Sequence, residues 1–183
     1  MTQPAGPVDD VAWPVAVRLR ELAGAALDGA LGGTPAVCAV VPGRDVAIDS
    51  CCDGQAWVRI VRTYPVLPGE FPNGRGTPLD GGGDPGAFWA VELGVGTARC
   101  APSPDDAGNP PTATELERAA AELADDAGRI RRSVLCELVK EPAAEAVFIG
   151  EQSSVGPSGG CVGQEALVTV MTNVCVCGEA GGA

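Results

Sequence analysis

The sequence predicts an α+β domain, a mostly antiparallel sheet of four to five strands packed by two helices in the order α-β-β-β-α-β-β. Three observations lead there. Two segments repeat apolar residues at steps of three and four, five short segments are apolar or alternating, and Gly- and Pro-rich stretches separate them. At 183 residues and 18.4 kDa, with 45% apolar residues, the chain is sized for one domain, read as residues 1–183. Its 26 Gly and 16 Pro imply long loops around a smaller core.

The first helix is read over residues 12–31, where Val15, Leu19, Leu22, Ala26 and Ala30 share a face and Gly32-Gly33 closes the pattern. A short apolar strand follows at 36–42. Residues 56–66 alternate Trp57, Arg59, Val61 and Thr63 against Val58, Ile60, Arg62 and Tyr64, a strand with two chemically different faces. Residues 65–87 hold too much Gly and Pro for either period and read as a projecting loop. The strand at 88–100 then returns antiparallel to its predecessor, with Gly94 and Gly96 marking a bulge or a close approach.

The second helix has the clearest local signature. Thr112 stands as N-cap with Glu115 three residues later, and Leu116, Ala119, Leu123, Ala127, Ile130, Val134 and Leu138 form one apolar stripe. Acidic residues lie early and Arg129, Arg131 and Arg132 late, the order that complements the helix dipole. Two more strands are expected at 144–150 and 165–177, joined by a second projecting loop at 151–164, and residues 178–183 read as a flexible tail.

Composition narrows the function. The net charge is -12, with 24 acidic residues against 12 basic, and no basic stripe is present to hold phosphates, so a non-specific grip on nucleic acid is not expected. The chain has no histidine, which removes the usual general base and the Ser/His and Cys/His pairs. Asp105-Asp106 and Asp125-Asp126 read as solvated charge in a loop and on a helix face. The stretch "LDGGGDPG" lacks the Lys-Ser/Thr of a phosphate loop. No opening basic-then-apolar segment and no membrane-length apolar run is seen, so the expected site of synthesis is the cytoplasm, without membrane contact.

The eight cysteines leave three readings open. Cys38 and Cys136, in apolar surroundings, suit core packing. Cys51, Cys52, Cys100, Cys161, Cys175 and Cys177 lie at strand ends or in loops, where they either pack or pair as disulfides in an oxidising medium. An adjacent pair and one C-x-C are not the spaced knuckles of a structural zinc site, although four thiolates from separate segments can still converge.

Four stretches carry a resemblance: "CCDGQAWVRIVRTYP", "AVELGVGTARCAP", "GNPPTATELERAAAELADDAGRIRRSVLCEL" and "GPSGGCVGQEALVTV". Together they resemble the head-to-tail connector proteins of tailed phages infecting actinobacteria, and the element order is similar to that of tail terminators. The resemblance implies a structural virion protein without catalytic residues or cofactor. It would form a ring, typically hexameric, that caps the tail tube and joins the head connector. Its partners would be copies of itself, the major tail tube protein and the head-tail stopper or connector proteins, with genomic DNA passing the lumen unbound. Arg129, Arg131 and Arg132 are then candidates for contact with a neighbouring subunit, and loops 65–87 and 151–164 for tube or connector contact. A stopper or adaptor of the same neck is the near alternative. A small metal or redox protein built on the cysteines is the alternative from a different class.

Overall fold

The computed structural model describes residues 9–48, 51–74 and 88–174. The chain is α+β, with helix α1 (Ala12–Leu27), strands β1 (Val37–Val40), β2 (Gln55–Pro65) and β3 (Phe88–Cys100), helix α2 (Ala113–Cys136), and strands β4 (Ala146–Ser158) and β5 (Cys161–Asn173). The five strands form one mixed sheet in the order β1-β2-β3-β5-β4, with β1 parallel to β2 and the other pairs antiparallel. The expected element order is therefore present, including the antiparallel return of β3 on β2.

Both helices cover one face of the sheet. Leu19, Ala23 and Leu27 of α1 and Ile130 and Val134 of α2 pack with Val58 of β2, Val91, Leu93 and Val95 of β3, and Val168 and Val170 of β5. Each strand offers every second residue, as the pleat requires. α1 starts under the carboxylate of Asp9, which accepts from the amides of Val11 (3.0 Å) and Ala12 (3.2 Å). It ends at Leu27, a turn before the predicted stop, because Gly29 takes φ +65° and turns the chain away. α2 opens with the capping box read from sequence: the Glu115 amide donates to Thr112 Oγ1 (3.3 Å) and the Thr112 amide to Glu115 Oε2 (2.7 Å).

Several expectations are corrected. Residues 151–164 are not a projecting loop. They continue β4 and begin β5, and a Gly159-Gly160 turn with φ +57° and +78° joins the two strands. Serine and glycine content hid a strand whose backbone pairs regardless of its side chains. Of the 65–87 loop, residues 66–74 form a compact segment with a 3-10 turn at Pro68–Glu70, while 75–87, like the expected tail at 178–183, fall outside the described residues. A bulge between Ile60 and Arg62 moves Arg62 and Tyr64 onto the face of Trp57 and Arg59, breaking the simple alternation read for β2. Leu116 is exposed, since burial on α2 begins only at Leu123.

The largest departure is polar. Asp126, read as surface charge, is 0% exposed, and Arg99 is 5% exposed. Arg99 Nε donates to Asp126 Oδ2 (2.8 Å) and Nη2 to Oδ1 (2.9 Å), while Nη1 and Nη2 also donate to the carbonyls of Gly32 and Gly33 (2.8 Å each). One guanidinium thus joins β3, α2 and the segment after α1. Arg99→Met or Asp126→Ala alone is expected to cost about 3–5 kcal/mol, because a buried charge loses its partner. The double variant Arg99→Met/Asp126→Leu should cost less than the sum of the singles in urea unfolding; simple additivity would mean the two side chains are not coupled.

Candidate functional site

The face of the sheet away from the helices carries the unusual chemistry. Trp57 and Arg59 of β2 lie beside Glu165 of β5, reaching over β3 between them. Trp57 Nε1 and Arg59 Nε each donate to Glu165 Oε2 at 2.8 Å, and Arg59 Nη2 donates to Oε1 at 2.5 Å. The reach is open because the intervening positions on β3 are Gly94 and Gly96. A Cβ on Gly94 would meet Arg59 Nε and Glu165 Cδ at 2.9 Å, and one on Gly96 would enter the Trp57 ring at 2.5 Å. The close approach suggested by the two glycines is thus real, and no bulge falls at them in the pairing of β3 with β5. Val41, Val46 and Ile48 fold over the Trp57 end of this face.

Beside Trp57 four cysteines meet. Cys51 and Cys52 occupy a 3-10 turn (Cys51–Asp53) just before β2, Cys100 ends β3, and Cys161 begins β5 directly opposite Cys100 in the register. Cys51 is disulfide-bonded to Cys161 (Cα–Cα 5.8 Å) and Cys52 to Cys100 (Cα–Cα 4.3 Å). The loops closed span 110 and 48 residues. In the chain-entropy picture the longer closure alone is worth on the order of 4–5 kcal/mol against the unfolded chain. Cys51 and Cys161 are buried, Cys52 and Cys100 exposed. Cys175 and Cys177 lie outside the described residues.

The two cysteines assigned to the core behave differently from each other. Cys38 is half-buried against the main core, its thiol 3.6 Å from the Arg20 carbonyl, and burial pushes its pKa up. Cys136 is exposed, which corrects the core assignment: it stands two residues past Val134, at the groove between α2 and α1 that Leu22 and Ala26 also line.

The three arginines of α2 also separate. Arg129 turns inward, with Nε donating to Asp125 Oδ2 (2.7 Å), Nη1 to the carbonyls of Ala26 and Asp28 (3.2 Å each), and Nη2 to that of Gly29 (3.0 Å). It caps the end of α1 from within the chain. Arg131, whose Nη2 donates to Gln152 Oε1 (3.0 Å), and Arg132 are exposed. Asp125 likewise serves structure, accepting from the Leu31 amide at 2.8 Å. That bond, and then Arg129, hold its pKa below the ordinary carboxylate value.

Sequence reasoning missed the Trp57–Arg59–Glu165 group and Arg99–Asp126, although alternating strand residues and paired glycines were visible signals. No protein-family model and no curated protein matches the chain.

Glu165 gives a pH test. Burial pushes its carboxyl up, but the hydrogen bonds from Arg59 and Trp57, with the positive charge of Arg59, together hold its pKa below the ordinary value. A depressed folded-state pKa contributes stability that is present above the unfolded carboxylate range and lost as pH falls through the folded value. Glu165→Gln is therefore expected to lower stability at neutral pH and flatten its decline on acidification. Tryptophan-monitored urea unfolding from neutral to acid pH reads both; an unchanged acid slope would mean that Glu165 does not control it.

Proposed function

We propose that this protein is a structural component of the head–tail interface of a tailed actinobacteriophage, and specifically a tail terminator. One observation carries the reading: the place in the fold of the stretches that resemble connector proteins. Residues 51–65, 90–102, 108–138 and 156–170 supply β2, most of β3, α2 and most of β5. Those are three adjacent strands and the helix that packs on them, so the resemblance follows one continuous piece of the core.

A closed ring of identical subunits needs two different surfaces on each copy. β4 forms one edge of the sheet over thirteen residues, with Phe148 exposed, and the four-residue β1 forms the other. Long free edges are normally protected, and a neighbouring copy lying along β4 would protect this one. Arg131 lies near that edge, its guanidinium on Gln152, while Arg132 is exposed beside the groove between α2 and α1. The acidic balance suits a ring through which DNA passes without being held. In this reading the ring, a hexamer, ends the tail tube, contacts the major tail tube protein on one side and the stopper or connector on the other, and carries out no catalysis. It assembles in the host cytoplasm and remains at the neck of the virion.

Electron microscopy of a lysate from a phage deleted for this gene tests the assignment. The expected result is unattached heads beside tails of uncontrolled length. Normal-length tails beside emptied heads would reassign the protein as a stopper or adaptor, and intact particles would reject the neck altogether. Replacing Arg131 and Arg132 together by Ala is expected to shift purified rings toward monomer in light scattering with the helical circular dichroism retained. Unchanged rings would remove both arginines from the interface.

A further inference from the structure

We propose that Cys51, Cys52, Cys100 and Cys161, when reduced, form a tetrathiolate site for one soft divalent cation, with zinc the best fit. The sulfurs of Cys51, Cys52 and Cys100 all lie within 4.8 Å of one another, and that of Cys161 is bonded to Cys51. A tetrahedral zinc with Zn–S of about 2.3 Å needs sulfurs about 3.8 Å apart. The three mutually close sulfurs have that scale, and Cys161, outside that group but bonded to Cys51, completes the set by turning its Sγ inward once the disulfide is reduced.

The convergence does not depend on the sulfur–sulfur bonds. Cys100 and Cys161 face each other through the β3–β5 register. The turn bearing Cys51 and Cys52 is closed by the Gly54 amide donating to the Cys51 carbonyl (3.0 Å), with Gly54 at φ +77°. The Gly159-Gly160 turn delivers Cys161, and the Ala101 amide, next to Cys100, donates to the Gly160 carbonyl (2.7 Å). Backbone contacts therefore hold all four positions in place, as a metal site requires of its supporting shell. The buried pair, Cys51 and Cys161, gives the site a dry side. The exposed pair, Cys52 and Cys100, gives the cation a way in.

Four thiolates with no histidine or carboxylate among them select soft ions such as zinc over magnesium or calcium. Binding one Zn²⁺ releases four protons, one from each thiol, and leaves the site with net charge −2. The same sulfurs make either two disulfides or one metal site, so the redox state decides which clamp closes this end of the sheet. Zinc binding is independent of any role in a phage neck, and the test below reads neither assembly nor infection.

The full-length chain is reduced with a phosphine, which becomes its oxide as each disulfide becomes two thiols, and is then mixed anaerobically with Zn²⁺ or Co²⁺ and freed of excess metal. We expect one zinc retained per chain, four thiols silenced toward a thiol reagent, and a cobalt form with sulfur-to-metal charge transfer and the intense visible bands of tetrahedral coordination. Cys52→Ser/Cys100→Ser should lose stoichiometric binding, while Cys175→Ser/Cys177→Ser should keep it. A reduced chain that retains no metal, a cobalt spectrum without thiolate bands, retention by Cys52→Ser/Cys100→Ser, or loss in Cys175→Ser/Cys177→Ser would each overturn the proposal. The cobalt spectrum of the unaltered chain decides the matter should the first double variant fail to fold.

Discussion

A guanidinium out of water must find acceptors for its donors, and Arg99 finds them on three separate pieces of the chain. Asp126 comes from α2, the carbonyls of Gly32 and Gly33 from the segment after α1, and Arg99 itself from β3. Because a buried charge is tolerated only with its partners in place, the position of α2 along the sheet and the path between α1 and β1 are set together. Other residues follow from it. Gly54 lacks the Cβ that would strike Arg99 Nη1 at 2.7 Å, and Gly32 leaves room at 3.1 Å for the same guanidinium. Arg129 makes a second, shallower tie of the same kind by gathering the carbonyls that end α1.

The next residue along β3 acts on the opposite face. Strand alternation sends Arg99 toward the helices and Cys100 away from them, so two consecutive residues fasten the same end of the sheet on both sides. On the far side Cys100 joins Cys51, Cys52 and Cys161, and the neighbouring Trp57 lies flat over Gly96 with its N–H on Glu165. Nearly all of this stands on β2, β3 and β5, the strands covered by the connector resemblance. In the proposed reading, a ring subunit under load along a tube would gain from a core tied this way, and the β4 edge would be open to a neighbour.

The local features of the chain were legible because they depend on residues close together in sequence. The Thr112–Glu115 capping box, the stripe from Leu123 to Val134, the limits of β3 and the order of all seven elements follow from periodicity and short-range hydrogen bonding. The bulge in β2 and the β4–β5 hairpin were not. A bulge is defined by the partner strand, and the Ser/Gly-rich residues 151–164 carry none of the alternation from which strands are read.

The candidate site divides the same way. Cysteine count and position said that pairing or metal binding was open to Cys51, Cys52, Cys100 and Cys161, and the glycines at 94 and 96 announced that something approaches β3 closely. Which cysteines meet, that Arg129 serves its own fold, and that Asp126 is buried while Asp125 is not could be decided only by the packing of strands and helices distant in sequence. The sequence by itself determined the elements, their order and the chemical groups available, since these follow from local periodicity and composition. Tertiary structure decided which groups face each other, because burial and register set the distances at which charge and sulfur chemistry act.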